Sequence, residues 1–196
     1  RGITIPKGRA VVTRRLEELL ANGLAVSGRA RRLLEELMEE CADLTRRIKA
    51  YDDEFLAVTR TDPQARRLAT IPGIGSINAS ALVAAVGDAS AFAKGRDLAA
   101  WLGLTPRQHS TGGKTKMLGI SKRGNKYLRK QLIHGARAAL PHLAAKPTKL
   151  GAWLKDMLTR SHPNVVVVAL AAKLARIAWA ELRHDKTFTQ EALVSS

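Results

Sequence analysis

LEELMEECADLTRRIKAYDDEFLAV, residues 34–58, sets the fold class. Leu34, Leu37, Cys41, Leu44, Ile48, Tyr51, Phe55 and Val58 follow one another in alternating steps of three and four. That spacing keeps one side of an α-helix apolar for about four heptads, the seam of a coiled coil. Glu35, Glu36, Glu39, Glu40, Arg46, Arg47, Lys49, Asp52 and Asp53 fill the outward positions. Such a seam needs a partner helix. One is available upstream, where Val12, Leu16, Leu19, Leu20 and Leu24 recur at helical spacing around the Asn22-Gly23 stop. The other is a second copy of the chain, which makes the seam an oligomerisation stalk; it is longer than the first helix can cover.

Downstream of the stalk the pattern stays helical. Asp62 is a good cap, and Pro63 suits the first turn of a helix running to Thr70. Ile71-Pro72-Gly73-Ile74-Gly75 then leads into a helix over 76–86, stopped by Gly87-Asp88. This is the helix-hairpin-helix pattern. Gly73 and Gly75 let the backbone turn tightly and leave free amides pointing at a phosphate from the second helix's start. Contacts of that kind grip a backbone without reading bases; the bland alternative is a tight turn with no ligand. Phe92 and a helix over 97–104, including Trp101, read as core. Pro106 ends that helix, and PRQHSTGGK (106–114) reads as a Gly-rich loop. Asn125 caps a helix to Leu140, with Leu128, Leu132, Ala136 and Leu140 on its apolar side, Lys126, Lys130 and Arg137 on the other, and Pro141 closing it. Helices over 149–159 and 164–183 follow, then a tail from His184 expected to be loosely ordered. No strand pattern stands out. The fold expected is mainly α, a coiled-coil stalk (1–60) followed by an all-helical domain (61–196) that contains the helix-hairpin-helix.

Charge narrows the function. The chain carries 33 Lys and Arg against 17 Asp and Glu, a net +16, and no carboxylate occurs from Leu98 to Lys155. A cationic block of that length is costly to hold together unless a polyanion binds it, which points to nucleic acid. A membrane surface is the rival polyanion, but no detached polybasic amphipathic helix is present, and the apolar run from Val165 to Ala172 is far too short to span a bilayer. Aromatic residues at 4% argue against a base-stacking single-strand binder. The lone Cys41 excludes an internal disulfide and a cysteine zinc cluster. Histidines are scattered, and the acids near the basic half (Asp88, Asp97, Asp156) are isolated, so no metal or cofactor is expected in this segment. The chain opens on Arg1 with no targeting segment and reads as a piece of a longer cytoplasmic polypeptide.

Ser110-Thr111-Gly112-Gly113-Lys114 invites two readings. The hydroxyl and neighbouring amides can bind phosphate, or Ser110 can attack one. A loop serine at its free pKa needs activation to do so. His109 is adjacent, but adjacency alone supplies no geometry.

Taken together, TIPGIGSINASALVAAVGD, LAAWLGLTPRQHSTGGKTKMLGISKRGNKYLRKQLIHGARAAL and VVVVALAAKLARIAWAEL resemble the C-terminal half of insertion-sequence family 110 transposases, the bridge-RNA-guided DNA recombinases. The resemblance covers nearly the whole chain, since that family also carries a linker and coiled coil. It implies a RuvC-like domain with acidic ligands for Mg2+, which nothing here matches, paired with a transposase domain bearing a catalytic serine. That serine falls on Ser110, with Ser121 and Thr111 as competitors. The resemblance further implies a composite active site in a homo-oligomer built through the coiled coil, DNA and guide RNA as partners, and a prokaryotic, nucleoid-associated setting. Expected roles follow: Gly112 and Gly113 allow close approach, Lys114, Lys116, Lys122 and Arg123 steady phosphates, Lys126, Arg129 and Lys130 track backbone, and Gly73 and Gly75 grip a second stretch. The alternative is a non-catalytic nucleic-acid-binding and oligomerisation module.

Overall fold

The structure, a computed structural model, describes residues 4–5, 7–23, 26–111, 114–185 and 188. Among them are eight helices and one two-stranded sheet, so the fold is mainly α, as the periodicity predicts. The chain divides into two units, Arg1–Asp53 and Glu54–Ser196.

In the first unit, α1 (Arg9–Ala21) closes at Asn22, whose N–H donates to the Glu18 carbonyl. Leu24 and much of the tail beyond His184 lie outside the described residues. α2 (Gly28–Thr61) begins here, and its last turns, from Glu54 on, belong to the second unit. Arg31 donates from Nη1 to the Leu20 carbonyl at 3.2 Å, tying the start of α2 to the end of α1. The heptad seam stays open to solvent: Leu37 and Tyr51 are more than half exposed, and Leu44 and Ile48 nearly so.

In the second unit, α3 (Pro63–Leu68) is capped as expected, with the Asp62 carboxylate accepting from the Gln64 and Ala65 amides at 2.7 and 3.0 Å. α4 (Ser76–Val86) ends at Gly87, which takes φ 60. α5 (Gly95–Trp101) starts where the Lys94 N–H meets the Asp97 carboxylate at 2.9 Å. α6 (Lys126–Ala145), α7 (Lys149–Arg160) and α8 (Pro163–His184) complete it. α8 is the hub, packed on by α3, α5, α6 and α7. Its Val167, Leu170, Leu174 and Ala178 are buried, and their steps of three and four give one continuous apolar side. Leu68, Leu98, Leu102, Leu132 and Leu154 close over it from the neighbouring helices. At roughly 25 cal/mol per Å2 of apolar surface, this burial is the main favourable contribution to folding.

Three expectations are corrected. Pro141 does not end α6, which runs one turn further to Ala145. A proline there removes the hydrogen bond to the residue 137 carbonyl and crowds that carbonyl with its ring, without touching the bonds beyond. Arg137 and Pro141 are both exposed, so water can serve that carbonyl, while Leu143 and Ala144 beyond it are buried and hold the turn. Trp101 is not core. It is 37% exposed and packs edge-on against Phe92 at 5.6 Å between ring centroids. The supposed loop is a hairpin, β1 (Pro106–Thr111) pairing antiparallel with β2 (Lys114–Ile120), so the second unit is not all-helical. The Gly112-Gly113 pair suits a two-residue hairpin connection, and the chain there has no helical periodicity to compete.

Candidate nucleic-acid interface and serine hairpin

The hairpin stands away from the core. Every residue of β1 is exposed, and among the described residues neither strand packs on a helix; each strand's packed neighbour is the other strand. The register pairs Gln108 with Met117, His109 with Lys116, Ser110 with Thr115 and Thr111 with Lys114. Opposed residues share a face, and alternate residues along a strand do too. Ser110, Gln108 and Met117 therefore lie on one face, and His109 and Lys116 on the other. Gln108 confirms the arrangement by donating from Nε2 to Ser110 Oγ at 3.0 Å. This bond leaves the serine proton free and gives any charge that develops on Oγ a ready donor. Sequence reasoning missed Gln108, whose signal was its place two residues before the serine on a strand.

The roots of the hairpin are built tightly. Ser121 N–H donates to the Thr105 carbonyl at 2.9 Å, and Lys122 N–H to the Gly103 carbonyl at 3.1 Å. Lys122 takes φ 57, and Gly103 and Gly124 take φ 70 and 78. A Cβ at Gly124 would stand 1.7 Å from the Trp101 carbonyl oxygen, and one at Gly103 would stand 2.1 Å from that of Arg123. Only glycine allows the two chain segments to meet so closely.

Arg129 departs from its expected role. It is 9% exposed, and Nη1 donates to the Leu102 and Arg123 carbonyls, both at 3.0 Å. Leu102 precedes the hairpin and Arg123 follows it, so this guanidinium clips the two roots together inside the protein. It is not placed to follow a phosphate backbone. Ser121, the competing hydroxyl, is half-buried at the same root, whereas Ser110 and Thr111 are exposed. Gly112, Gly113 and the side chain of Lys114 lie outside the described residues.

The remaining cations stay at the surface. Lys116 on β2, Lys122 and Arg123 at the root, and Lys126 and Lys130 on successive turns of α6 are all exposed. Asn125 starts that helix by accepting the Leu128 amide at 3.0 Å. Further along α6, Gly135 meets the α3–α4 turn: a Cβ at Gly73 would stand 2.8 Å from the Gly135 carbonyl oxygen. Asn78 extends its amide to the Gly73 and Gln131 carbonyls at 3.4 and 3.3 Å. Gly73, at φ 94, thus serves packing. Gly75 is exposed at the start of α4, where no side chain caps the first amides. α6 therefore carries the hairpin root at its first turn and the α3–α4 turn at its middle. Among the described residues no three of His, Cys, Asp and Glu come together to hold a metal, and no helix is long and apolar enough to cross a membrane.

Comparison with known proteins gives a consistent result. Residues 65–149, from α3 to the start of α7, match the Transposase IS116/IS110/IS902 family. The chain is 45% identical over 187 residues to a probable family 20 transposase of Pseudomonas aeruginosa, covering 95% of this chain and 55% of that protein. It is 41% identical over 193 residues to the transposase for insertion sequence element IS1328 of Yersinia enterocolitica, covering 96% and 56%. With the transposase for element IS1111A of Coxiella burnetii the identity is 40% over 188 residues, covering 95% and 52%. The chain spans about half the length of these relatives.

Proposed function

Because the chain belongs to the IS116/IS110/IS902 transposase family, we propose that it is the part of a DNA-recombining enzyme that grips nucleic acid and supplies a serine nucleophile. Ser110 Oγ attacks the scissile phosphate: an Oγ–P bond forms, the P–O bond to the leaving strand breaks, and the serine proton goes to the leaving oxygen. Gln108 steadies the oxygen as charge builds on it. Lys116, Lys122 and Arg123 bind flanking phosphates, with Gly112, Gly113 and Lys114 completing the turn. Lys126 and Lys130 follow the backbone along α6, and the open amides after Gly75 take a second stretch in the manner of a helix-hairpin-helix. DNA and a guide RNA are the proposed ligands, in a cytoplasmic, nucleoid-associated setting.

The described residues do not fit a magnesium site. The acidic ligands are assigned to a RuvC-like partner domain outside this chain, and no step here runs through them. The open seam of α2 is assigned to a homo-oligomer that would bring such a domain and the serine together.

What carries the proposal is one observation: an exposed serine hydroxyl, held by a neighbouring amide, on a cationic arm that no helix covers. In the full protein with its guide RNA and DNA substrate, Ser110→Ala is expected to abolish the covalent protein–DNA adduct seen on denaturing gels while DNA binding persists. An adduct of undiminished yield would move the role to Thr111 or Ser121. Absence of an adduct even with Ser110 present would leave the non-catalytic binding module.

A further inference from the structure

The serine arm carries a side chain that the proposed chemistry does not use. Met117 is 61% exposed, more than any other large apolar residue among those described. It sits directly opposite Gln108 and shares a face with Ser110. As a cross-strand diagonal neighbour, it lies roughly 7–8 Å from the serine. With no helix on either strand, no core accounts for the thioether. The chain around it is cationic: Lys116 on the opposite face of the hairpin, and Arg107, Lys122 and Arg123 close by in sequence, are all exposed, in a segment without a carboxylate. An apolar side chain bordered by cations matches duplex DNA, where cations take the phosphates and the apolar group enters the base stack.

We propose that Met117 is a wedge that unstacks duplex DNA at the step beside the phosphate facing Ser110. The inference rests on the serine reading and adds a distortion step to it. Parting the bases kinks the strand, loosens the phosphate from its helical position and turns it toward Oγ. Methionine suits the task, because its unbranched, polarisable side chain adapts to an irregular gap. No core contact is lost on replacing it, so the variants are expected to fold.

The test uses the full protein with its guide RNA and duplexes of the element's terminus carrying 2-aminopurine at successive positions. In a Ser110→Ala background, fluorescence is expected to rise at one step on binding. The rise should vanish when Met117→Ala is added and survive with Met117→Leu. With Ser110 intact, Met117→Ala is expected to slow adduct formation by about tenfold or more on matched duplex, and a mismatch placed at that step to restore it to within about twofold. A rise that persists in Met117→Ala, no rise at any step, or no rescue by the mismatch would overturn the wedge. If the serine reading alone is wrong, the adduct survives Ser110→Ala while the Met117-dependent fluorescence rise remains.

Discussion

Replacing Arg129 by methionine tests whether the hairpin is held from inside the protein. The guanidinium is buried and donates two charge-assisted hydrogen bonds to carbonyls on either side of the arm. Each such bond is worth about 1.5–3 kcal/mol, and its loss leaves a buried acceptor unserved. Against that, methionine removes a buried cation that has no carboxylate beside it among the described residues, which returns some of its desolvation cost. The net expectation is a destabilisation of about 2–3 kcal/mol, in the range of other broken buried networks. Arg129→Lys keeps the charge but not the planar fork, and falls between. Trp101, Trp153 and Trp179 all lie in the Glu54–Ser196 unit, so urea unfolding followed by tryptophan fluorescence reports on it directly. Lys130→Ala, one residue along but exposed, is the control and should change stability by no more than about 0.5 kcal/mol. If Arg129→Met matches that control, the clip does not hold the roots and the argument fails.

Two further outcomes are expected. Glu181 is 4% exposed, and burial raises its pKa from 4.5 to about 7, against the opposing pull of Arg67 and the Phe188 backbone. Between those values the folded chain keeps a proton that the unfolded chain releases. The contribution of this group to stability is therefore complete below about pH 4.5 and is lost as pH rises through 7, by about 3 kcal/mol in all. Glu181→Gln should flatten that slope between pH 5 and 8 in the same urea assay; an unchanged slope would assign it elsewhere. Ile48→Glu places a charge in the open seam of α2 and should shift the species in sedimentation velocity toward monomer, and an unaltered profile would remove the seam from assembly.

The helices were legible because their signals are local and redundant. Asp62, Gly87 and Asn125 each mark a boundary by a mechanism that needs no tertiary context, and the structure places each boundary there. The hairpin was missed because β1 has no alternation of buried and exposed residues: it is exposed throughout, so the usual strand pattern never arises. Its remaining trace was the Gly112-Gly113 pair, which also suits a loop. Arg129 was misplaced for another reason. Its charge suggested solvent, yet Arg129, Leu132, Ala136, Ala139 and Leu143 run in steps of three and four along the buried side of α6. Periodicity outweighed residue type there, and two carbonyls waiting from distant segments made the burial tolerable, a partnership no linear pattern reveals. Gly73 repeats the lesson, since its glycine is required by Gly135, sixty-two positions later.

An antiparallel pair that meets no helix has little of its own to keep it in one shape, because two strands alone are marginal in water. Its form in use is then decided by the surface it lies against. The ordering entropy falls due at encounter, which weakens every complex alike and leaves net affinity only where the fit is good. An arm pinned at its roots and free of the core can in this way reject poor substrates without any change in the folded body that carries it.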